Sequence, residues 1–191
     1  MLLFVDTETN GLPKNAPDDR EKWPRVVQLA WAVYDTGGNR ESVQSHIIYP
    51  TDFTIPHDTA KIHKITTERA KKEGISLHKV LPLFNADAER SDTVIAHNLA
   101  FDLPVIRTEF LRCNIPTRLA DKQKFCTMMA PRIISFCKLP AKSGRGYKWP
   151  ALNELYLQLF EEELTGSHNA GADVEACARC YFELKKRGII E

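Results

Sequence analysis

The chain has 191 residues, of which 43% are hydrophobic and 27% charged, and its formal net charge is +1 at pH 7. This composition is typical of a soluble globular protein and not of a disordered chain. A net charge of +1 excludes an overall positive potential that would attract polyanions such as nucleic acids. No apolar run has the length of a membrane span, and the five cysteines lack the paired spacing of a stapled secreted scaffold. We therefore expect one domain, residues 1–191, in the cytoplasm and without a membrane partner.

The first part of the chain predicts three strands joined as a meander. The apolar residues 2–5 run into Asp6 and predict a short buried strand, and residues 26–35 predict a second. The turn residues Gly37, Gly38 and Asn39 separate the second strand from a third at residues 42–50. A turn of this kind between two apolar runs indicates a hairpin, so the three strands are expected to pair antiparallel.

Strands and helices alternate in the rest of the chain. Leu77, Val80, Leu81 and Phe84 recur with a helical period, and residues 93–97 predict a further strand. Asn98 is a candidate cap for a helix from Leu99 to Arg112, a short strand follows near residues 124–128, and Pro150 is expected to open another helix. The last helix places Val174, Cys177, Tyr181 and Leu184 on one face. The whole pattern predicts an α/β fold in which helices flank a mixed sheet.

Two carboxylates follow the first strand at a spacing that points them to one side. Asp6 and Glu8 are separated by one residue, and alternate residues of a strand share a face. Two like charges this close repel and raise each other's pKa, unless a divalent cation lies between them. Carboxylate oxygens are ligands suited to Mg²⁺ or Mn²⁺, although an ordinary solvated strand end would explain the pair equally well.

Three further polar residues stand at predicted element edges. Asp102 and Asp173 fall in the first turns of two helices, where a favourable interaction with the helix dipole is the alternative explanation. His168 precedes Asp173 by five residues and is expected in the loop before the last helix. An imidazole there could serve as a general base, or it could be an exposed loop histidine.

Taken together, the segments F-V-D-T-E-T-N-G-L, A-H-N-x-x-F-D and H-N-A-x-x-D occur in this order, each at a predicted element edge. The chain resembles the DnaQ-like (DEDD) 3′–5′ exonuclease family, in the subclass with a histidine base, which includes polymerase proofreading subunits such as the DNA polymerase III epsilon subunit. The resemblance implies a ribonuclease-H-like fold. It also implies that Asp6, Glu8, Asp102 and Asp173 bind two divalent cations, Mg²⁺ or Mn²⁺, with His168 as base.

The same resemblance implies contacts to the terminal nucleotide. These would come from the residues that interleave or follow the first motif: Thr7, Thr9, Asn10 and Leu12. Asn98 and Phe101 are expected to line the same cleft, although helix capping and core packing would explain them as well.

A basic segment near the C-terminal helices is the second candidate for nucleic-acid binding. Residues 138–149 carry four cations, no acid and two aromatic residues, namely Lys138, Lys142, Arg145, Lys148, Tyr147 and Trp149. The aromatic residues could stack on bases, although an ordinary solvated loop with Trp149 in the core is an equal alternative. Lys14, Arg20, Lys22 and Arg25 form another basic segment, which acidic residues dilute.

The sequence therefore favours a metal-dependent enzyme that removes nucleotides from single-stranded or frayed 3′ ends of DNA. An exoribonuclease acting on short RNA or RNA tails is the alternative, because the catalytic residues do not read the sugar. A catalytically idle nucleic-acid-binding module would have no use for four carboxylates. A DNA polymerase is a further possible partner, although the chain ends soon after the last predicted helix, which leaves no room for a tethering extension.

Overall fold

The chain begins with the strand that lies in the middle of the sheet. In the structure, a computed structural model that describes residues 1–13, 22–166 and 168–191, β1 (Leu2–Thr9) pairs antiparallel with β2 (Val26–Tyr34). β2 pairs antiparallel with β3 (Arg40–Ile47), and on its other side β1 runs parallel to β4 (Thr93–Ala96). β5 (Gln123–Cys126) lies parallel to β4, so the strand order is β3-β2-β1-β4-β5. The predicted mixed sheet and its meander are confirmed.

Helices cover both faces of this sheet. Within the described residues they are α1 (His57–His63), α2 (Thr67–Glu73), α3 (Leu77–Glu89), α4 (Leu99–Arg112), α5 (Pro131–Cys137), α6 (Leu152–Phe160) and α7 (Ala170–Lys186). The sequence pattern did not single out α1 and α2, because seven residues are too few for a helical period to be evident. None of these helices is long and apolar enough to cross a membrane.

The alternation along β1 divides the core into two layers. Leu3 and Val5 pack with the buried faces of α3 and α4, whereas Leu2 and Phe4 pack with residues of α5, α6 and α7. Successive side chains of a strand point to opposite faces. Asp6 and Glu8 therefore continue the face that α7 covers, and Thr7 continues the face that α4 covers.

β2 is buried on both faces over nearly its whole length. All its residues from Val26 to Val33 are buried, and this stretch contains no charged side chain. Trp31 and Leu29 contribute to the layer under α3 and α4, and Ala30 and Ala32 to the layer under α7. Strands that are covered on both faces are largely apolar instead of alternating, which explains why Gln28 is the one polar residue in this stretch.

The starts of the last helices differ in detail from the sequence prediction. Asn98 occupies the N-cap position of α4, but its φ is 83° and its side chain makes no capping hydrogen bond. α6 begins at Leu152, two residues after Pro150. α7 is capped by Asn169, whose side chain accepts from the N–H groups of Gly171 and Ala172. The capping function expected of Asn98 is therefore absent, whereas the equivalent asparagine before α7 performs it.

Candidate active site

Three carboxylates meet beyond the end of β4. The ligand oxygens of Asp6, Glu8 and Asp173 all lie within 4.8 Å of one another. Asp6 and Glu8 project from the part of β1 that extends past its pairing with β4, and Asp173 comes from the first turn of α7. Asp173 lies in a first helical turn as predicted, whereas β1 extends through Asp6 and Glu8 to Thr9 instead of ending at residue 5. The trio offers the oxygen donors that Mg²⁺ and Mn²⁺ prefer.

Asp102 reaches the same site from the opposite face of the sheet. It is buried in the first turn of α4, and its Oδ1 accepts hydrogen bonds from the N–H of Thr7 at 3.0 Å and the hydroxyl of Thr7 at 2.7 Å. Thr7 thus holds the carboxylate of Asp102 beside β1, although Asp102 and the other three acids come from different layers. The Thr7 hydroxyl anchors a candidate metal ligand, a function that no sequence pattern indicates.

The four carboxylates are electrostatically strained in the absence of a cation. The pKa of Glu8 is raised to about 7, mainly by burial and further by the charges of Asp173 and Asp102. Burial raises the pKa of Asp102 to about 7 as well, against the lowering effect of the Thr7 hydrogen bonds. The pKa of Asp6 lies well above its usual range, first because of burial and then because of the neighbouring acids. A divalent cation would relieve this repulsion, so the donor set fits the metal that the sequence resemblance implies.

His168 lies in the segment that leads into α7. Its side chain is exposed, its φ is 66°, and its main-chain N–H donates to Asp173 Oδ2 at 2.9 Å. The imidazole itself lines the same cavity as Asp6, Glu8 and Asp173. The structure therefore brings the predicted base and all four predicted carboxylates to one place.

The cavity at this place has a volume of about 540 Å³. Besides the acids and His168 it is lined by the first residues of α4 and by those at the start of α6, among them Asn98, Phe101, Ala151, Leu152 and Asn153. Asn98 and Phe101 thus line the cleft as the sequence predicted. Its size and its opening to solvent are compatible with a nucleotide-sized substrate.

A second, more apolar cavity of about 350 Å³ adjoins the first. Thr9 and Leu12 line it together with Ile62 of α1, and Phe101 lies between the two cavities. Leu12 is 78% exposed, so its side chain is accessible from this cavity. Asn10 lies elsewhere, because its side chain accepts from Arg25 N–H at 2.7 Å and donates to the carbonyl of Thr54.

His97 is a cavity residue to which the sequence analysis assigned no function. Its Nε2 lies 3.0 Å from the carbonyl oxygen of Pro150, and its Nδ1 lies 2.9 Å from the hydroxyl of Thr127. Because a carbonyl only accepts, Nε2 carries a proton. Burial lowers its pKa to about 4, so His97 ties β4 to the segment before α6 instead of acting as a base.

The predicted basic contacts fall into separate groups. Lys142 and Arg145 are exposed between α5 and α6, whereas Lys148 pairs with Glu154 at 2.5 Å. Of the other basic segment, Lys14 and Arg20 lie outside the described residues. Arg25 pairs with the buried Glu109 at 2.8 Å, which favours a structural function for this guanidinium.

The sheet order and the acidic cluster beyond the end of β4 are those expected of a ribonuclease-H-like exonuclease domain. The chain belongs to the exonuclease family RNase_T, whose sequence model matches residues 3–181. Its resemblance to the DnaQ-like exonucleases is thereby confirmed. No curated protein sequence matches the chain.

Solved structures of exonuclease I share this fold. Escherichia coli exonuclease I in complex with a dA16 oligonucleotide superposes with a TM-score of 0.78 at 20% sequence identity, over 97% of this chain and 41% of that chain. Exonuclease I from Methylocaldum szegediense superposes with a TM-score of 0.76 at 19% identity, over 97% of this chain and 40% of that chain. The present chain therefore spans about two fifths of the length of these proteins.

Proposed function

We propose that this chain is a metal-dependent 3′–5′ exonuclease that hydrolyses DNA from its 3′ end and releases nucleoside 5′-monophosphates. The observation that carries the proposal is the convergence of Asp6, Glu8 and Asp173 within 4.8 Å, in one cavity with His168. A module that only binds phosphate would gain nothing from buried acids, because they repel an anionic ligand.

Two divalent cations, Mg²⁺ or Mn²⁺, complete the site in this proposal. Asp6, Glu8 and Asp173 would hold one, and Asp6 together with Asp102 would hold the other. When bound, such ions activate a water and neutralise the charge that develops on the leaving oxygen. Thr7 keeps the Asp102 carboxylate in position through its two hydrogen bonds.

The protein's own residues supply the proton transfer and the positioning. His168 accepts a proton from the attacking water, whose oxygen forms the new bond to phosphorus. The bond between phosphorus and the 3′ oxygen of the preceding nucleotide breaks, and that oxygen takes up a proton to become the new terminal hydroxyl. The exposed position of His168 allows the imidazole to exchange its proton with solvent after each cycle.

The terminal nucleotide would occupy the two adjoining cavities. Its phosphate belongs beside the acids in the larger cavity, and its base belongs beside Leu12 and Phe101 in the apolar one. Thr9 and Asn98 are the polar residues that could position the sugar. Support for DNA comes from the fold neighbours, since exonuclease I has been solved with dA16 and with dT13 oligonucleotides.

Digestion of end-labelled oligonucleotides tests this function. DNA and RNA strands of the same sequence, labelled at either end, are incubated with Mg²⁺ or Mn²⁺. We expect 5′-labelled DNA to yield a ladder that shortens from the 3′ end, and 3′-labelled DNA to release the labelled mononucleotide first. The ladder should be absent for Asp6→Ala. Internal cuts, or full activity in Asp6→Ala, would contradict the proposal, and preferential digestion of RNA would reassign the substrate.

A further inference from the structure

The segment between α5 and α6 is an ordered hairpin that projects from the domain. Pro140 and Tyr147 form an antiparallel bridge, Ala141 N–H donates to the carbonyl of Gly146 at 3.2 Å, and Lys148 N–H donates to the carbonyl of Leu139 at 2.9 Å. Gly144 and Gly146 have φ values of 73° and 72°, which L-residues rarely adopt, so they close the turn. Residues 138–149 are called the α5–α6 hairpin below.

Two aromatic rings of the α5–α6 hairpin are exposed to solvent. Tyr147 is 51% exposed and Trp149 is 55% exposed, so Trp149 is not a core residue. Residues at this spacing on an extended arm point to the same side, with Lys148 turned to the other. Lys148 accordingly pairs with Glu154 of α6. A pair of rings on one side of a projecting arm is a stacking surface that the fold itself does not use.

Two positive charges of the α5–α6 hairpin, those of Lys142 and Arg145, face solvent. The segment contains no acidic residue. Lys142 and Arg145 form no ion pair with any residue that the structure describes, whereas Lys148 of the same segment pairs with Glu154. Cations beside exposed aromatic rings are the combination that binds single-stranded nucleic acid, because the charges attract phosphates and the rings stack on bases.

The hairpin is fixed at the rim of the catalytic cavity. Its second arm continues into Pro150, and the carbonyl of Pro150 accepts a hydrogen bond from His97. The next two residues, Ala151 and Leu152, line the cavity. At about 3.3 Å per extended residue, Trp149 lies roughly 7 Å along the chain from Ala151. A strand that leaves the cavity on this side meets the two rings within about one or two nucleotides.

We propose that the α5–α6 hairpin is a binding platform for the single strand that lies outside the catalytic cavity, with Tyr147 and Trp149 stacking on its bases and Lys142 and Arg145 contacting its phosphates. This rests on the proposed function: in a 3′–5′ exonuclease the terminal nucleotide is inside the cavity, so the strand outside it is the 5′ portion. Stacking requires unpaired bases, so the platform selects single-stranded ends over duplex.

The first test compares substrate lengths with a ring-removing and a ring-keeping variant. For Trp149→Ala we expect the KM of a strand of about twelve nucleotides to rise about 5- to 150-fold, which is the value of one stacked base, with little change in kcat. The KM of a dinucleotide should rise far less. Trp149→Phe keeps a ring and should retain most of the affinity. An equal rise for both lengths, or a fall in kcat alone, would show that Trp149 only supports the cavity and would overturn the platform.

The second test separates charge at the hairpin from charge elsewhere. A plot of log affinity against log salt concentration has a negative slope. Substituting both Lys142 and Arg145 by Ala should make this slope less steep by about 1.4, the value for two phosphate contacts on a single strand. The matched control is Lys185→Ala with Lys186→Ala, which removes the same charge at the far end of α7. Equal changes in slope for the two double variants would show that only net charge matters and would overturn the proposal.

A binding measurement keeps this proposal separate from the proposed function. Trp149 is the most exposed of the three tryptophans, since Trp31 is fully buried and Trp23 partly buried. In EDTA, a dT oligonucleotide should quench the fluorescence of the wild type and leave Trp149→Phe unquenched. Absence of cleavage with quenching intact would refute the nuclease and spare the platform. Cleavage without quenching would refute the platform and spare the nuclease.

Discussion

The main-chain N–H of His168 donates to Asp173 Oδ2 at 2.9 Å, so the proposed base and a proposed metal ligand are joined without the use of the imidazole. The hydrogen bond belongs to the backbone and survives any substitution of the His168 side chain other than proline. The base can therefore be removed while the neighbouring ligand keeps its partner.

This relationship predicts that His168→Ala separates catalysis from metal binding. We expect kcat to fall by roughly 10²- to 10⁴-fold, the usual contribution of a general base, with the metal-induced increase in Tm unchanged. His168→Asn is the matched variant, because asparagine tolerates the positive φ at this position. A loss of the metal-induced increase as large as that in Asp173→Asn would contradict the prediction.

Thr7 is predicted to act on metal binding through Asp102. Thr7→Val keeps the shape of the side chain and removes the 2.7 Å hydrogen bond to Asp102 Oδ1, whereas Thr7→Ser keeps that bond. We expect Thr7→Val to weaken Mn²⁺ binding about 10- to 100-fold, as the loss of a group that orients a ligand typically does. Calorimetric titration with Mn²⁺ measures this, and equal affinities in the two variants would exclude the proposed anchoring.

Stability without metal is predicted to depend on pH through Glu8. Its pKa of about 7 in the folded state lies above the ordinary value of 4.5, so the folded state holds more protons and stability falls as pH rises between these values. The effect of His97 on stability has the opposite sign. Its pKa of about 4 in the folded state lies below the ordinary value of 6.5, so its contribution to the free energy of unfolding increases as the pH rises between these values. The difference between wild type and Glu8→Gln cancels the His97 contribution.

Urea unfolding in EDTA between about pH 5 and pH 8 measures this difference. We expect wild type to lose stability relative to Glu8→Gln as the pH rises, and millimolar Mg²⁺ or Mn²⁺ to abolish most of the loss, because a bound cation favours the charged acids. Parallel pH profiles for the two proteins in EDTA would refute the electrostatic strain attributed to the site.

Gln28 is predicted to position the start of α7. It lies opposite Glu8 in the sheet, its Oε1 accepts from Ala170 N–H at 3.3 Å, and its Nε2 donates to Ser45 Oγ at 3.0 Å. Gln28→Ala leaves a buried N–H unpaired, which costs about 1–3 kcal/mol of unfolding free energy. Because His168 and Asp173 flank Ala170, we also expect kcat to fall about tenfold or more. Ser45→Ala keeps the bond to Ala170 and should change kcat little.

The sequence predicted the parts of the site that depend on local periodicity. Alternation along β1 placed Asp6 and Glu8 on one face, and the helix starts placed Asp102 and Asp173 in first turns, all of which the structure confirms. Local periodicity carries no information on contacts between distant segments. The bond between Thr7 and Asp102 joins residues 95 positions apart and depends on how α4 packs beside β1.

The interactions of Lys148, Asn98 and Trp149 could not be predicted from the sequence, because they depend on the tertiary structure around each residue. Lys148 has the same charge as Lys142, but only Lys148 lies within reach of Glu154 once α6 has formed. Asn98 is in the left-handed conformation, with a φ of 83°, whereas a capping residue has an extended backbone, and the residue type alone does not reveal which of the two the chain adopts. The exposure of Trp149 likewise follows from the hairpin and not from its residue type.

The uncharged and almost entirely buried strand β2 has a consequence for every melting experiment on this protein. The stretch from Val26 to Val33 is rich in β-branched and apolar residues, and in the native sheet β1 and β3 occupy both of its edges. Once the sheet opens, this stretch offers the composition that favours intermolecular β-aggregation. We expect heating at high protein concentration to be irreversible. If divalent cations bind Asp6, Glu8 and Asp173 as proposed, they should extend the half-life of the folded state as well as raise its Tm.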